Sequence, residues 1–218
     1  MARPLTLAGV FAHPDDESWS LAGVFAVLVP KGVRGAVWTA TRGQAGQIAE
    51  DSGATRETLP RVREAEERAA MATVGVERVA VSAAVQAAFA AYAATTRDRE
   101  PRLYHWGVPL STLRRFHELA RDAGLELPGE DDPYGPRGTP DELFTCRVDT
   151  SPVAETARRA LLAHRTQGDD VFSRMVRHGD AWREVFAAAA FIRVHPAPRP
   201  GAPPETSPVE AFTGGDGA

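Results

Sequence analysis

Apolar and polar positions fall into blocks whose period changes along the chain. Residues 5–12 (Leu-Thr-Leu-Ala-Gly-Val-Phe-Ala) are an apolar run with the length and content of a buried strand. Pro14 ends it, because proline has no N–H to give to a sheet. Asp16 and Ser18 stand where helix caps belong, ahead of Leu21, Val24, Phe25 and Leu28 at helical spacing, so a helix is expected over 18–29, closed by Pro30 and Gly32. A second strand is expected over 35–40, ending in the polar stretch Thr41-Arg42-Gly43-Gln44-Ala45-Gly46. Residues 59–74 read as a strong helix that Gly75 ends. Val62, Ala65, Ala69, Ala70 and Thr73 line one face, and Arg63, Glu64, Glu67 and Arg68 lie largely outside it. This β-α-β-α order predicts a parallel sheet with right-handed crossovers.

The rhythm then breaks. Residues 76–81 suit a third strand, yet 83–94 already read as a helix. Alternation resumes with a strand over 101–108, a helix over 110–123, a Gly/Pro/Asp-rich loop over 124–140 and a strand over 143–148. A helix follows over 153–167, with Ala157, Ala160, Leu161 and His164 near one face, and residues 172–176 and 181–192 supply final helical segments. From Pro196 onward six prolines and four glycines in 23 residues leave little to bury, so 196–218 is expected to be a disordered tail.

Composition narrows the class. A chain of 218 residues, 43% hydrophobic, suits one domain with a substantial core, here expected over 1–195. Its 25 basic and 29 acidic side chains are interspersed, with no basic face to track phosphates, so nucleic acid is not an expected partner. The single cysteine, Cys146, excludes an intrachain disulfide and fits a reducing compartment. The first apolar run leads straight into acids rather than a cleavage site, and the Ala-rich run 79–94 is interrupted by Ser82 and Gln86 and is shorter than the ~20 residues a membrane span needs. A cytoplasmic protein without a membrane span is expected.

The first loop carries the most chemistry. A catalytic zinc takes three protein ligands from the His, Asp, Glu and Cys set and keeps one position for water. His13 and Asp16 are three apart and can turn onto one ion, which leaves Asp15 free to accept a proton from bound water. Acids ahead of a helix also complement its dipole, and from spacing alone the capping explanation weighs as much as the metal.

The full string Ala12-His13-Pro14-Asp15-Asp16-Glu17 after an N-terminal strand resembles the signature of the LmbE-like (PIG-L) family of zinc-dependent N-acetylglucosamine deacetylases, which includes the mycothiol-pathway deacetylase and amidase. Thr41-Arg42-Gly43, the helix Arg63-Glu64-Ala65-Glu66-Glu67-Arg68-Ala69-Ala70, and the late segments Gly138-Thr139-Pro140-Asp141-Glu142 and Ala163-His164-Arg165-Thr166-Gln167 are similar to further motifs of that family. The resemblance implies an α/β, Rossmann-like, mostly parallel sheet with helices on both faces. It implies hydrolysis of an N-acetyl amide on a GlcNAc-type small molecule. His13 and Asp16 would be zinc ligands, Asp15 the general base, and Arg63 a substrate-positioning group. Glu17 fits helix initiation as well as a site role. His164 reads as a buried structural histidine or, by the match, as a residue near the site. Thr41 and Arg42 could line the pocket or serve the backbone around Gly43 and Gly46.

One part of the pattern is missing. The family draws its third zinc ligand and an oxyanion-stabilising histidine from a central His-Pro-Asp-His motif, which this sequence lacks. Residues 77–78 and 79–89 resemble segments that normally flank it, so a truncation of the middle of the sheet is expected with its seam near 78–79. His164 is the candidate to replace the third ligand. The alternative reading is a catalytically impaired member of the family that keeps sugar or metal binding.

Overall fold

A computed structural model describes residues 5–81, 101–125, 137–167, 171–177 and 180–209. The chain divides into two compact units, Met1–Val85 with Thr150–Ala187, and Gln86–Asp149 with Ala188–Ala218.

In the first unit β1 (Thr6–Phe11), β2 (Arg34–Thr39) and β3 (Arg78–Val81) form a parallel sheet in the order β1-β2-β3. Its register sets Gly9 opposite Val37 and Val37 opposite Val79. The α/β class and parallel pairing expected from the β-α-β-α pattern are present here. The single helix expected over 18–29 is two, α1 (Asp16–Ser20) and α2 (Ala22–Leu28), broken at Leu21. A 3-10 turn at Val29–Lys31 and the left-handed Gly32 close α2, as Pro30 and Gly32 foretold. Ala22, Val24, Phe25 and Leu28 are its buried residues.

The long helix α3 (Leu59–Thr73) has the expected extent but not the expected face. Leu59, Arg63, Glu66, Glu67, Ala70 and Met71 are buried, whereas Ala65, Ala69 and Thr73 are exposed. The buried set keeps the i, i+4, i+7, i+8 spacing of a helix stripe. Charged side chains occupy it because each finds a partner there: Arg63 on loop carbonyls, Glu66 on Thr166 and Glu67 on Thr39. α3 packs on α5 (Ala154–Leu162), as does α2. The helix expected over 153–167 stops at Leu162; residues 163–164 turn, and a 3-10 turn spans Arg165–Gln167. Helices α6 (Val171–Arg177) and α7 (Trp182–Val185) complete this unit.

Glu67 yields a stability prediction. It is fully buried, accepts a hydrogen bond from the Thr39 hydroxyl, and its Oε2 has no partner. Burial lifts its carboxyl to about 7. Between the ordinary glutamate value of 4.5 and about 7, the folded protein keeps a proton that the unfolded chain has released, so this group's contribution falls as pH rises through that window. Glu67→Gln removes the penalty. Relative to wild type, the variant should gain about 2 kcal/mol between pH 5 and pH 8. Urea denaturation at the two pH values measures this, and an unchanged difference would contradict it.

The second unit holds β4 (Leu103–Trp106), β5 (Cys146–Asp149) and β6 (Ala188–His195), antiparallel in the order β4-β6-β5. The alanines of residues 188–192 predict helix; the segment instead forms a strand, paired through Ala188 to Asp149 and Phe191 to Cys146. Pairing on both sides overrides alanine's weak preference. Helix α4 (Leu110–Asp122) buries Leu113 and Ala120, and Asp141 accepts hydrogen bonds from the Ser111 amide and hydroxyl at its start.

The tail expectation fails for residues 196–209. Glu205 accepts hydrogen bonds from Arg102 Nη1 (2.6 Å), Arg193 Nη1 (2.7 Å) and the Tyr104 hydroxyl (2.7 Å), and its backbone bonds to Thr145 and Arg147. Val209 is buried. Composition misses this because one glutamate and two arginines anchor the segment, not an apolar stripe. Most of the loop expected over 124–140 and nearly all of the run 79–94, with the helix expected over 83–94, lie outside the described residues. Among the described residues no helix is long and apolar enough to cross a membrane.

Candidate active site

β1 delivers its loop to the end of the parallel sheet where ligands bind in open α/β folds. The loop is tightly folded. The His13 amide donates to Asp16 Oδ2 (3.1 Å), and His13 Nδ1 lies 3.8 Å from the same oxygen. The Asp15 amide donates to Glu17 Oε2 (2.9 Å). Asp15 has φ 116°, a left-handed conformation that side-chain-bearing residues rarely adopt. Such a backbone persists only where neighbours hold it, and it recurs at working sites.

The second wall comes from the segment after β2. The Thr41 hydroxyl donates to the Ala12 carbonyl (2.9 Å), tying the two loops together. From α3, Arg63 Nη1 donates to the Gly43 carbonyl (2.9 Å) and Nη2 to the Gln47 carbonyl (2.8 Å), while Arg56 Nη1 holds the carbonyls of Gln44 and Gly46. Both glycines are needed for this approach: a Cβ on Gly43 would stand 2.4 Å from Arg63 Nη1, and one on Gly46 2.3 Å. Arg63 is therefore buried as a loop brace, with its Nε unpaired at the base.

These elements enclose a cavity of about 900 Å³, large enough for a sugar-sized ligand, lined among others by His13, Asp15, Asp16, Thr41, Arg63 and Gln167. The four residues singled out from the sequence, His13, Asp15, Asp16 and Arg63, thus meet at one cavity, and Thr41 joins them. Burial, then the charge of Asp16, raises the Asp15 carboxyl to about 7. Burial also raises Asp16, and it lowers Arg63. Clustered carboxyls that resist ionisation are a common property of catalytic clefts.

Glu17 and His164 are buried and do not line the cavity. Glu17 is fully buried; its Oε1 is 2.9 Å from Ser18 Oγ and 2.7 Å from His164 Nε2. Burial opposes charge on both groups, but their mutual attraction wins, lowering the Glu17 carboxyl and raising the His164 imidazole. Glu17 is thus engaged beyond the helix start, and His164 is the buried, hydrogen-bonded histidine of the first of its two readings, committed to Glu17 rather than free to be the third metal ligand. Little in the sequence announces this pair, because its partners are 147 residues apart.

His13 and Asp16 have the donor chemistry of two zinc ligands, but among the described residues no group of three His, Cys, Asp or Glu could hold a metal ion. The donor set on this loop is one short of a catalytic zinc site.

Residues 9–109 match the family described as PIG-L: GlcNAc-PI de-N-acetylase. Three solved structures share the fold at TM-score 0.50. A conserved protein of Thermus thermophilus is 25% identical, over 89% of this chain and 96% of that one. An N,N'-diacetylchitobiose deacetylase from Pyrococcus horikoshii is 16% identical, over 89% and 87%. A 4-carboxy-2-hydroxymuconate hydratase from Pseudomonas putida is 16% identical, over 89% and 98%. No curated protein matches the chain. At 16% identity these likenesses concern fold alone, and since one fold hosts both a deacetylase and a hydratase, fold does not choose the reaction.

Proposed function

We infer from the match of residues 9–109 to the PIG-L family that the protein is a hydrolase of the deacetylase type, acting on an N-acetylated amino sugar or a related small amide. The observation that carries this reading is Asp15, a carboxyl held at the cavity in a rare backbone conformation beside His13 and Asp16. Asp15 takes a proton from the water that attacks the acetyl carbonyl. A C–O bond forms, the C–N bond breaks, and the proton passes to the departing amine, leaving acetate. Arg63 braces the 43–47 wall against which the sugar rests. His13 and Asp16 would supply two of the positions that zinc takes.

Full-length protein given Zn²⁺ and then N,N'-diacetylchitobiose or N-acetylglucosamine should release acetate and free amine in equal amounts, followed by proton NMR. No acetate from either sugar, with zinc supplied, would overturn the reading. The short donor set favours a second reading, in which the protein binds the sugar without turnover. Saturable sugar binding without acetate release would establish it.

A further inference from the structure

We propose that His164, acting through Glu17 and aided by Gln167, is a positioning residue for Asp15: the turn after α5 clamps the 13–17 loop in the conformation that sets the Asp15 carboxyl at the cavity. This rests on the role given to Asp15 above.

The loop's own hydrogen bonds are short-range: Ser18 and Trp19 amides to the Asp15 carbonyl, and the His13 amide to Asp16. They are what any helix start supplies, and they do not explain why Asp15 rests at φ 116°. Contacts from the turn address that directly. Glu17 Oε2 accepts the Asp15 amide, while its Oε1 is held by His164 Nε2 at 2.7 Å. Gln167 Nε2 donates to the carbonyl of Pro14 (2.8 Å), in the peptide that precedes Asp15, and sits 3.5 Å from His164 Nδ1. Both groups of that peptide, the Pro14 carbonyl and the Asp15 amide, are thereby held by the same turn, one directly and one through Glu17.

The turn is itself anchored. The Thr166 amide and hydroxyl donate to the two oxygens of Glu66 on α3 (2.8 and 2.5 Å), and the Thr166 carbonyl accepts the Ala49 amide (3.0 Å). His164 is buried and is not among the cavity-lining residues. It therefore acts on Asp15 through Glu17 and touches no substrate.

The test uses the full chain with His164→Leu, His164→Gln and Gln167→Ala. Hydrogen exchange is read at the amides of residues 15–18, with the interior of α3 as the internal standard. kcat and KM are read for acetate release from N,N'-diacetylchitobiose. In His164→Leu the 15–18 amides should exchange about tenfold faster while α3 is unchanged. kcat should fall about 10- to 100-fold with KM within about threefold. His164→Gln, whose amide nitrogen can replace Nε2 as donor to Glu17, should restore most of both. Gln167→Ala should move exchange the same way by less. Unchanged exchange at 15–18 in a folded variant, or equal losses in the Leu and Gln variants, would overturn the proposal. Should His164→Leu not fold, His164→Gln and Gln167→Ala decide by the same exchange readout. A wild-type protein that releases no acetate overturns the deacetylase reading alone, and exchange still tests the clamp.

Discussion

Asp15→Asn should lower kcat for acetate release by about 10³-fold and leave the fold intact. The substitution is close to isosteric, so packing at this half-buried position is kept. Asparagine also tolerates left-handed backbone better than most residues, so φ 116° adds no new strain. The change removes only the capacity to take a proton. Because burial and the charge of Asp16 already disfavour an ionised Asp15, a neutral amide should unfold at the same temperature or slightly higher. Steady-state rates beside a thermal melt separate the two effects. A loss of less than about tenfold would remove Asp15 from the role of base.

The parts of this fold that are legible in the sequence are those whose signal is local. β1 and β2 are short apolar runs, Pro30 and Gly32 are local stops, and α3 has its expected extent. The loop from His13 to Asp16 is a contiguous string, so the convergence of its residues on one cavity can be anticipated. What escapes are positions defined by distant partners. Periodicity misjudges the face of α3 because Arg63, Glu66 and Glu67 are inside, each hydrogen-bonded to a group that sequence spacing does not place nearby. The apolar period through Leu161 puts His164 on a helix, but the helix ends at Leu162, and the turn that follows directs the imidazole to Glu17. β6 hides behind alanines, whose preference is too weak to resist pairing on both edges.

Glu205 is the sharpest case of this kind, and Glu205→Ala should destabilise the second unit by about 3–5 kcal/mol. Its carboxylate receives Arg102, Arg193 and Tyr104 together, with the side chains of Glu205 and the two arginines only 13–20% exposed. Removing the acid takes away the carboxylate that Arg102 and Arg193 share, and Arg193 Nε already lacks a partner. Breaking a half of such a pair costs more than the pair contributes, because the remaining charges stay desolvated. Tyr104, whose hydroxyl burial and the Glu205 bond push up to about 12, loses its nearer acceptor as well and is left the Pro208 carbonyl at 3.4 Å. At this chain length the expected loss corresponds to a calorimetric Tm lower by on the order of 10 °C. Replacing Arg102 and Arg193 with methionine at the same time should recover much of it, since the two buried guanidinium groups that shared the carboxylate are then gone. If Glu205→Ala melted within about 2 °C of wild type, residues 196–209 would be the loose tail that their composition suggests.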